Sequence, residues 1–403
     1  MWQQIKSNRT RSAVLTIVLG ALLLLLGYVL GVYFLESYEG GIIGLIFALV
    51  LWIIMSLVAY FQGDNILLSM SQAKKITHDD HPRLYNIVEE MKISSGLEAM
   101  PNIYIMDDPA MNAFATGRDP KKATVAVTSG LLQKLNRDEL QGVIAHEMSH
   151  IKNKDVLLMA MCSVLLGTIV IIAWQASRFM LFGGMGGSRR SSSGGGGAGQ
   201  IIIIIVAVIL MILAPIMAQL IYFAISRKRE YLADASSALY TRYPEGLASG
   251  LEKISSSTEQ LRTANQATAP MYIINPFRKQ GRAAENLTST HPPISERIRI
   301  LRAMAGASFA DYESAYSQVL HTNKTLIPAD AVAAAGSVAV RAPKHEPPEK
   351  LDEFQRARET SNVLWNLHNY NIVTCDCGTR LRLPPNFRAS AVKCPHCGRI
   401  NSL

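Results

Sequence analysis

The sequence predicts a mainly helical membrane protein that carries an α+β domain with a small sheet and ends in a small cysteine-bearing module. Three observations lead there: four apolar stretches long enough to cross a bilayer, short strands alternating with helices before the third stretch, and two cysteine pairs near the C-terminus. Of 403 residues, 49% are hydrophobic and 18% charged, a balance that leans toward the membrane class.

Ala13 to Leu35 and Gly41 to Phe61 are nearly unbroken apolar runs, each at or above the roughly 20 residues that cross about 30 Å of hydrocarbon. They predict an N-terminal transmembrane hairpin over residues 1–61. A signal peptide is the alternative for the first run, because Lys6, Arg9 and Arg11 precede it. Its apolar core, however, exceeds the roughly 7–15 residues of such a leader, and no small-x-small cleavage site follows. Basic Arg11, Lys74 and Lys75 flank the two runs, and acidic Glu36 and Glu39 fill the turn between them. The positive-inside rule then predicts a multi-pass protein of the cell membrane, with the N-terminus and everything after Phe61 on the cytoplasmic side.

Residues 62–327 read as one domain interrupted by a second transmembrane hairpin at about 156–225. In "HPRLYNIVEEMKISSGL", Leu84, Ile87, Val88 and Met91 share a helical face. "NIYIMDD" reads as a strand, "NAFATG" as a turn or second strand, and "ATVAVTSGLL" as a strand passing into a helix. "NRDELQGVIAHEMSHIKNKD" is helical, with Asn136 as its cap, Glu139 at the capping-box position and Leu140, Val143 and Ile144 on one face. The third and fourth apolar stretches, Val156 to about Leu181 and Ile201 to Ile225, are joined by the Gly/Ser linker "GGMGGSRRSSSGGGGAGQ". Arg189 and Arg190 oppose an outer position for that loop, and Lys152, Lys154, Arg227, Lys228 and Arg229 at the inner ends outweigh them. Polar helical character returns from residue 227 to about 325, including "HPPISERIRILRAM", a helix opened by prolines. Residues 328–350 form an Ala/Pro-rich linker, and 351–403 a terminal module.

The net charge of +9 is scattered near span ends instead of forming a basic stripe with interleaved aromatics. Nucleic acid is therefore not expected, and anionic lipid headgroups of the bilayer are the plainer partner. The sequence carries no signal for an oligomeric state.

His146, Glu147 and His150 spell H-E-x-x-H. On a helix the two histidines stand one turn apart, so both imidazoles can grip one Zn²⁺ while Glu147 faces the water. Two surface histidines on an amphipathic helix are the alternative. A catalytic zinc needs three protein ligands, and "SRKREYLADASS" offers Glu230 as the natural third, with Asp234 one turn later on the same face. Asp234 can accept a hydrogen bond from the free N–H of a liganding histidine and fix its tautomer; a solvated helix face is the plain alternative for this pair. Two crossings between His150 and Glu230 return the chain to the side it left, as a shared site requires.

"NAFATG", "HEMSHIKNKD", "SRKREYLADASS" and "STHPPISERI", in that order and interrupted by an apolar hairpin, resemble the HtpX family of integral-membrane zinc metalloproteases, relatives of the CAAX prenyl endopeptidases. The resemblance runs from the first span to about Met304 and implies a gluzincin-like α+β catalytic domain facing the cytosol. Protein substrates, misfolded or excess membrane proteins among them, are implied with it. Carried over by position, zinc falls to His146, His150 and Glu230, the general base to Glu147, and the supporting acid to Asp234. "NAFATG" resembles the family's substrate-side edge strand, so Asn112 and Ala113 are expected to pair with an extended peptide; an ordinary turn is the alternative. His291 stands where the family places a histidine near the site, a candidate for stabilising the oxyanion or a purely structural residue.

Cys375, Cys377, Cys394 and Cys397 sit in two pairs with about 16 residues between them, close to zinc-ribbon spacing. The first pair is a tight C-x-C, where Gly378 lets the backbone turn, and the second a regular C-x-x-C. A structural zinc in a rubredoxin-type ribbon is expected, beside the catalytic zinc; a redox role for the second pair is the alternative. A catalytically inactive membrane adaptor recruiting partners through the ribbon is the rival for the whole chain, but it would not need Glu147. A transporter would place ionisable residues within its spans, and these hold essentially none apart from Arg178 near one end.

Overall fold

The computed structural model describes residues 2–117, 119–182, 208, 212, 216, 227–264, 269–274, 276, 291–336, 338–343 and 349–403. Helix α1 (Trp2–Leu35) and helix α2 (Tyr38–Met70) are joined by a two-residue turn in which Glu36 takes φ 49° and Ser37 caps α2 by accepting the Gly40 N–H. Their backbones approach closely because glycines face each other. A Cβ on Gly44 would lie 2.2 Å from the Gly27 carbonyl oxygen, and one on Gly31 2.2 Å from that of Gly40. Within Thr16–Leu35 and Tyr38–Met70, both helices are long and apolar enough to cross a membrane, which marks a membrane-associated chain. Their outward faces are apolar, with Phe47 70% exposed.

The third apolar stretch lies in one 28-residue helix, α6 (Asp155–Phe182). Leu165 and Ile169 of α6 pack with Leu19, Leu23 and Ala48 of the first hairpin. The Gly/Ser loop with Arg189 and Arg190 lies outside the described residues. So does the fourth apolar stretch, apart from 208, 212 and 216, which are helical.

Between α2 and α6 the chain builds a four-stranded sheet of order β1-β2-β4-β3. Strands β1 (Lys74–Ile76), β2 (Asn102–Met106), β3 (Ala113–Thr116) and β4 (Thr124–Thr128) pair antiparallel except for β2 with β4. Every residue of β4 is buried, which explains why its sequence is a mixed apolar run with no polar face. Val125 and Val127 face a core built with α3 (Pro82–Ser95), α5 (Arg137–Lys152), α8 (Pro244–Ser256), α9 (Ile294–Arg302) and α10 (Phe309–Leu320). Ala126 and Phe114 face the opposite way, against Tyr272 and against Leu67 and Leu68 from the last turns of α2. The second apolar helix thus ends inside the α+β unit and fixes it at that end of the helix. Short helix α4 (Ser129–Lys134) links β4 to α5, and helix α7 covers 227–241.

The segments expected as linker and terminal module carry helices of their own. Residues 329–335 form helix α11 (Ala329–Ala335), and Arg341 donates to Asp138 Oδ1 at 2.6 Å and to Gln141 Oε1 at 2.8 Å, pinning the segment beside α5. Helix α12 (Glu349–Leu367) packs against both neighbours: Val363 is buried in the main core, Arg356 donates to the Gln133 carbonyl at 3.1 Å, and Arg382 of the ribbon lies over the Trp365 ring at 5.1 Å. The ribbon proper is two hairpins, β5 (Asn371–Thr374) with β6 (Arg380–Leu383) and β7 (Ala391–Lys393) with β8 (Ile400–Ser402).

Candidate metal centre and active site

Helix α5 starts at a reciprocal cap. The Glu139 N–H donates to Asn136 Oδ1 and the Asn136 N–H donates to Glu139 Oε2, both at 2.9 Å. Every residue from Asp138 to Ile151 is buried, so a polar side chain there needs a partner. His146 and His150, one turn apart, bring their Nε2 atoms within 3.3 Å. Glu230, from α7, meets both: Oε2 lies 3.5 Å from His146 Nε2 and Oε1 lies 3.5 Å from His150 Nε2.

This triangle fits zinc. Ligand atoms about 2.0–2.2 Å from a tetrahedral zinc stand roughly 3.3–3.5 Å apart, and imidazole with carboxylate is a donor set that suits the ion. Glu230 Oε2 is buried and makes no hydrogen bond, a condition that a coordinating cation relieves.

Behind the triangle, each histidine turns its other nitrogen to a carboxylate. His146 Nδ1 is 3.0 Å from Asp234 Oδ1, and His150 Nδ1 is 3.3 Å from Asp155 Oδ2. The Nδ1–H tautomer follows and leaves the Nε2 lone pairs for a metal. Arg297, with no exposed surface, forks Asp234 through Nε at 2.8 Å and Nη2 at 2.7 Å. Its Nη1 lies 3.5 Å from Glu230 Oε2 and donates to the Ile273 carbonyl at 3.3 Å.

The charges follow from these contacts. Burial would raise the Glu230 carboxyl, yet His291, His146, His150 and Arg297 hold it well below the usual carboxylate range. Burial likewise opposes charge on Asp234, and Arg297 overrides it, keeping that carboxyl low. On His146, burial works against the proton, but the carboxylates of Asp234 and Glu230 lift it to about 9, and a cation bound at Nε2 would take the place of that proton. Glu147, buried beside the same groups, behaves oppositely. Burial raises its carboxyl, with His146 and His150 opposing. His291 stands at the site's rim with Nε2 3.7 Å from Glu230 Oε2, and burial lowers it to about 4, so its ring is neutral at neutral pH.

Ala113 opens β3, the edge strand, with Asn112 just before it, and this edge is already in use. The Ile273 N–H donates to the outward Ala113 carbonyl at 3.0 Å, and Asn112 Nδ2 donates to the Ile274 carbonyl at 3.0 Å. A peptide pairing at Ala113 would take the place of the Ile273 N–H.

The four terminal cysteines converge. Cys375 Sγ is 3.6 Å from Cys397 Sγ, and Cys377 Sγ is 3.7 Å from Cys394 Sγ. Such gaps are far beyond a disulfide's ~2.05 Å and match the roughly 3.8 Å edge of a tetrahedron with Zn–S near 2.3 Å. Gly378 at φ 83° and Gly398 at φ 75° close the two turns, so the tight C-x-C works as well as the C-x-x-C.

Sequence reasoning brought together His146, Glu147, His150, Glu230, Asp234 and His291. It missed Arg297, Asp155 and the Ile273 strap. The signal for Asp155 was local: Asn153 closes α5, Lys154 takes φ 58°, and the turn swings the next residue back toward His150.

Residues 78–305 match the profile of Peptidase family M48. A protease HtpX homolog of Dictyoglomus turgidum is 45% identical over 303 residues, 75% of this chain and 94% of that one. The protease HtpX homolog of Caldanaerobacter subterraneus subsp. tengcongensis is 44% identical over 301 residues, 75% of this chain and 97% of that one. The one from Streptococcus uberis is 41% identical over 304 residues, 75% of this chain and all of its own length. Among solved structures, Ste24p of S. mikatae matches with a TM-score of 0.38 at 20% identity, covering 75% of this chain and 67% of that one.

Proposed function

The chain belongs to Peptidase family M48, and from that premise we propose that it is an HtpX-type membrane zinc endopeptidase. Its substrates are peptide bonds of membrane or membrane-proximal proteins, misfolded ones included, and it is kin to the CAAX prenyl endopeptidases. The observation that carries this reading is the His146–His150–Glu230 triangle with Glu147 buried beside it. Zinc held there supplies Lewis acidity to polarise a peptide carbonyl and acidify water.

The chain's own residues do the rest. Glu147, whose burial favours taking up a proton, accepts one from the attacking water and hands it to the leaving amine. Asp234 holds His146 in the tautomer that frees its Nε2, and Arg297 holds Asp234. Neutral His291 offers a hydrogen-bond donor toward the oxygen that gains charge as the carbonyl is attacked. Asn112 and Ala113 are the substrate-side edge, with the Ile273 N–H marking where a substrate amide would donate. The second apolar hairpin makes four spans, and the charge pattern supports a cytoplasmic site and a zinc ribbon on the same side.

Glu147→Gln in the detergent-purified full chain tests the reading. It is expected to retain zinc and to lose cleavage of casein by 10²-fold or more, the scale of general acid–base catalysis, ~10²–10⁴. Cleavage at the wild-type rate by this variant contradicts the role of Glu147.

A further inference from the structure

We propose that Asp155 and Arg229 form a second positioning arm of the metal centre, one that orients His150 and ties it to the junction of α6 with α7; this rests on the zinc reading above. Asp155 Oδ2 is 3.3 Å from His150 Nδ1, and Asp155 Oδ1 is 3.5 Å from Arg229 Nε. Both partners are buried, Asp155 at 1% and Arg229 at 7% exposure. The arrangement repeats that of His146, where a buried carboxylate on Nδ1 is in turn held by a buried arginine. Each liganding histidine therefore has its own carboxylate and its own guanidinium.

The two arms differ in where they are anchored. Asp234 and Arg297 stand on α7 and α9, within the catalytic unit, whereas Asp155 is the first residue of α6 and Arg229 lies on α7 beside Glu230. Helix α6 carries the third apolar stretch, and residue 227 of α7 follows the fourth. Arg229 is also the neighbour of Glu230, so one turn of α7 presents a metal ligand to His146 and His150 and a counter-charge to Asp155. A slide of α7 against α6 would disturb Glu230 and the His150 support together. The Arg229–Asp155 contact is also the looser of the two, since Arg229 Nε and Nη2 make no hydrogen bond, while Arg297 forks Asp234 at 2.7 and 2.8 Å.

A purely structural role is the competing account, because an acidic residue in the first turn of α6 favours that helix by interaction with its dipole. Zinc affinity separates the two. The full chain carrying Cys394→Ser and Cys397→Ser, which removes the ribbon's metal, is titrated in detergent with Zn²⁺ against a chelator, and the zinc-free form is unfolded thermally. Asp155→Asn is expected to weaken zinc about 10–100-fold, the usual effect of removing such a support. Arg229→Gln is expected to weaken it less, and the double variant no more than Asp155→Asn alone, because Arg229 acts through Asp155. Asp155→Glu, which keeps the charge, is expected to recover part of the loss and serves if the asparagine variant does not fold. Wild-type zinc affinity in Asp155→Asn, with or without a lower unfolding temperature, overturns the arm. Glu230→Ala is the control: its failure to lose zinc overturns the zinc reading itself, a different result from wild-type affinity in Asp155→Asn alone.

Discussion

Arg297 concentrates the physics of the site in one side chain. It has no exposed surface and neutralises Asp234, with Glu230 close by. Breaking a buried ion pair by removing one partner costs about 3–5 kcal/mol, because the other charge is left uncompensated. Arg297→Met is therefore expected to lower the unfolding temperature of the zinc-free protein sharply, and added zinc to recover part of the loss by supplying positive charge at Glu230. Arg297→Lys should rescue little, since an ammonium cannot reproduce the two-pronged contact with Asp234. Thermal unfolding of the three proteins with and without zinc checks this. The residue was invisible in the sequence for a clear reason. His146, Glu147 and His150 lie within one turn and announce themselves by spacing, and Glu230 and Asp234 repeat the trick, but Arg297 reaches Asp234 across 63 positions. Nothing in "SERIRILR" says which arginine points inward.

At the scale of elements, the glycine pairs make the first hairpin. Gly44→Leu would drive a side chain into the Gly27 carbonyl, whereas Phe47→Leu changes an outward face. The first is expected to cost about 1–3 kcal/mol or more and the second within about 0.5 kcal/mol, read as unfolding temperature in detergent. Helix α12 gives a second test. Deleting 371–403 should leave the main core intact, whereas deleting 349–403 removes Val363 from it and should cost several degrees more. Equal stability of the two truncations would contradict the packing. Strands β2 and β4, helix α3 and the cap of α5 were legible because alternation, facial periodicity and a reciprocal cap are local patterns. Strand β1 was not, being three residues held by register with β2, and neither was the docking of α12, which depends on a partner surface made by α4.

For the whole molecule, the last turns of α2 pack beneath the sheet, so the metal centre is held at the end of the second apolar helix. The charge pattern predicts that this end faces the cytoplasm and that the α1–α2 turn faces outward. Single cysteines at Glu36, in that turn, and at Glu98, on the catalytic unit with its side chain 77% exposed, test it in a background without the five native cysteines. An impermeant reagent applied to intact cells should label Glu36→Cys and spare Glu98→Cys; the reverse pattern would invert the topology. Counting zinc in the purified full chain tests whether His146, His150 and Glu230 form a zinc centre beside a four-cysteine ribbon. Two zinc ions per chain are expected, one of them lost in Glu230→Ala together with proteolysis, and the other lost in Cys394→Ser with Cys397→Ser. An unchanged count in Glu230→Ala would contradict that centre.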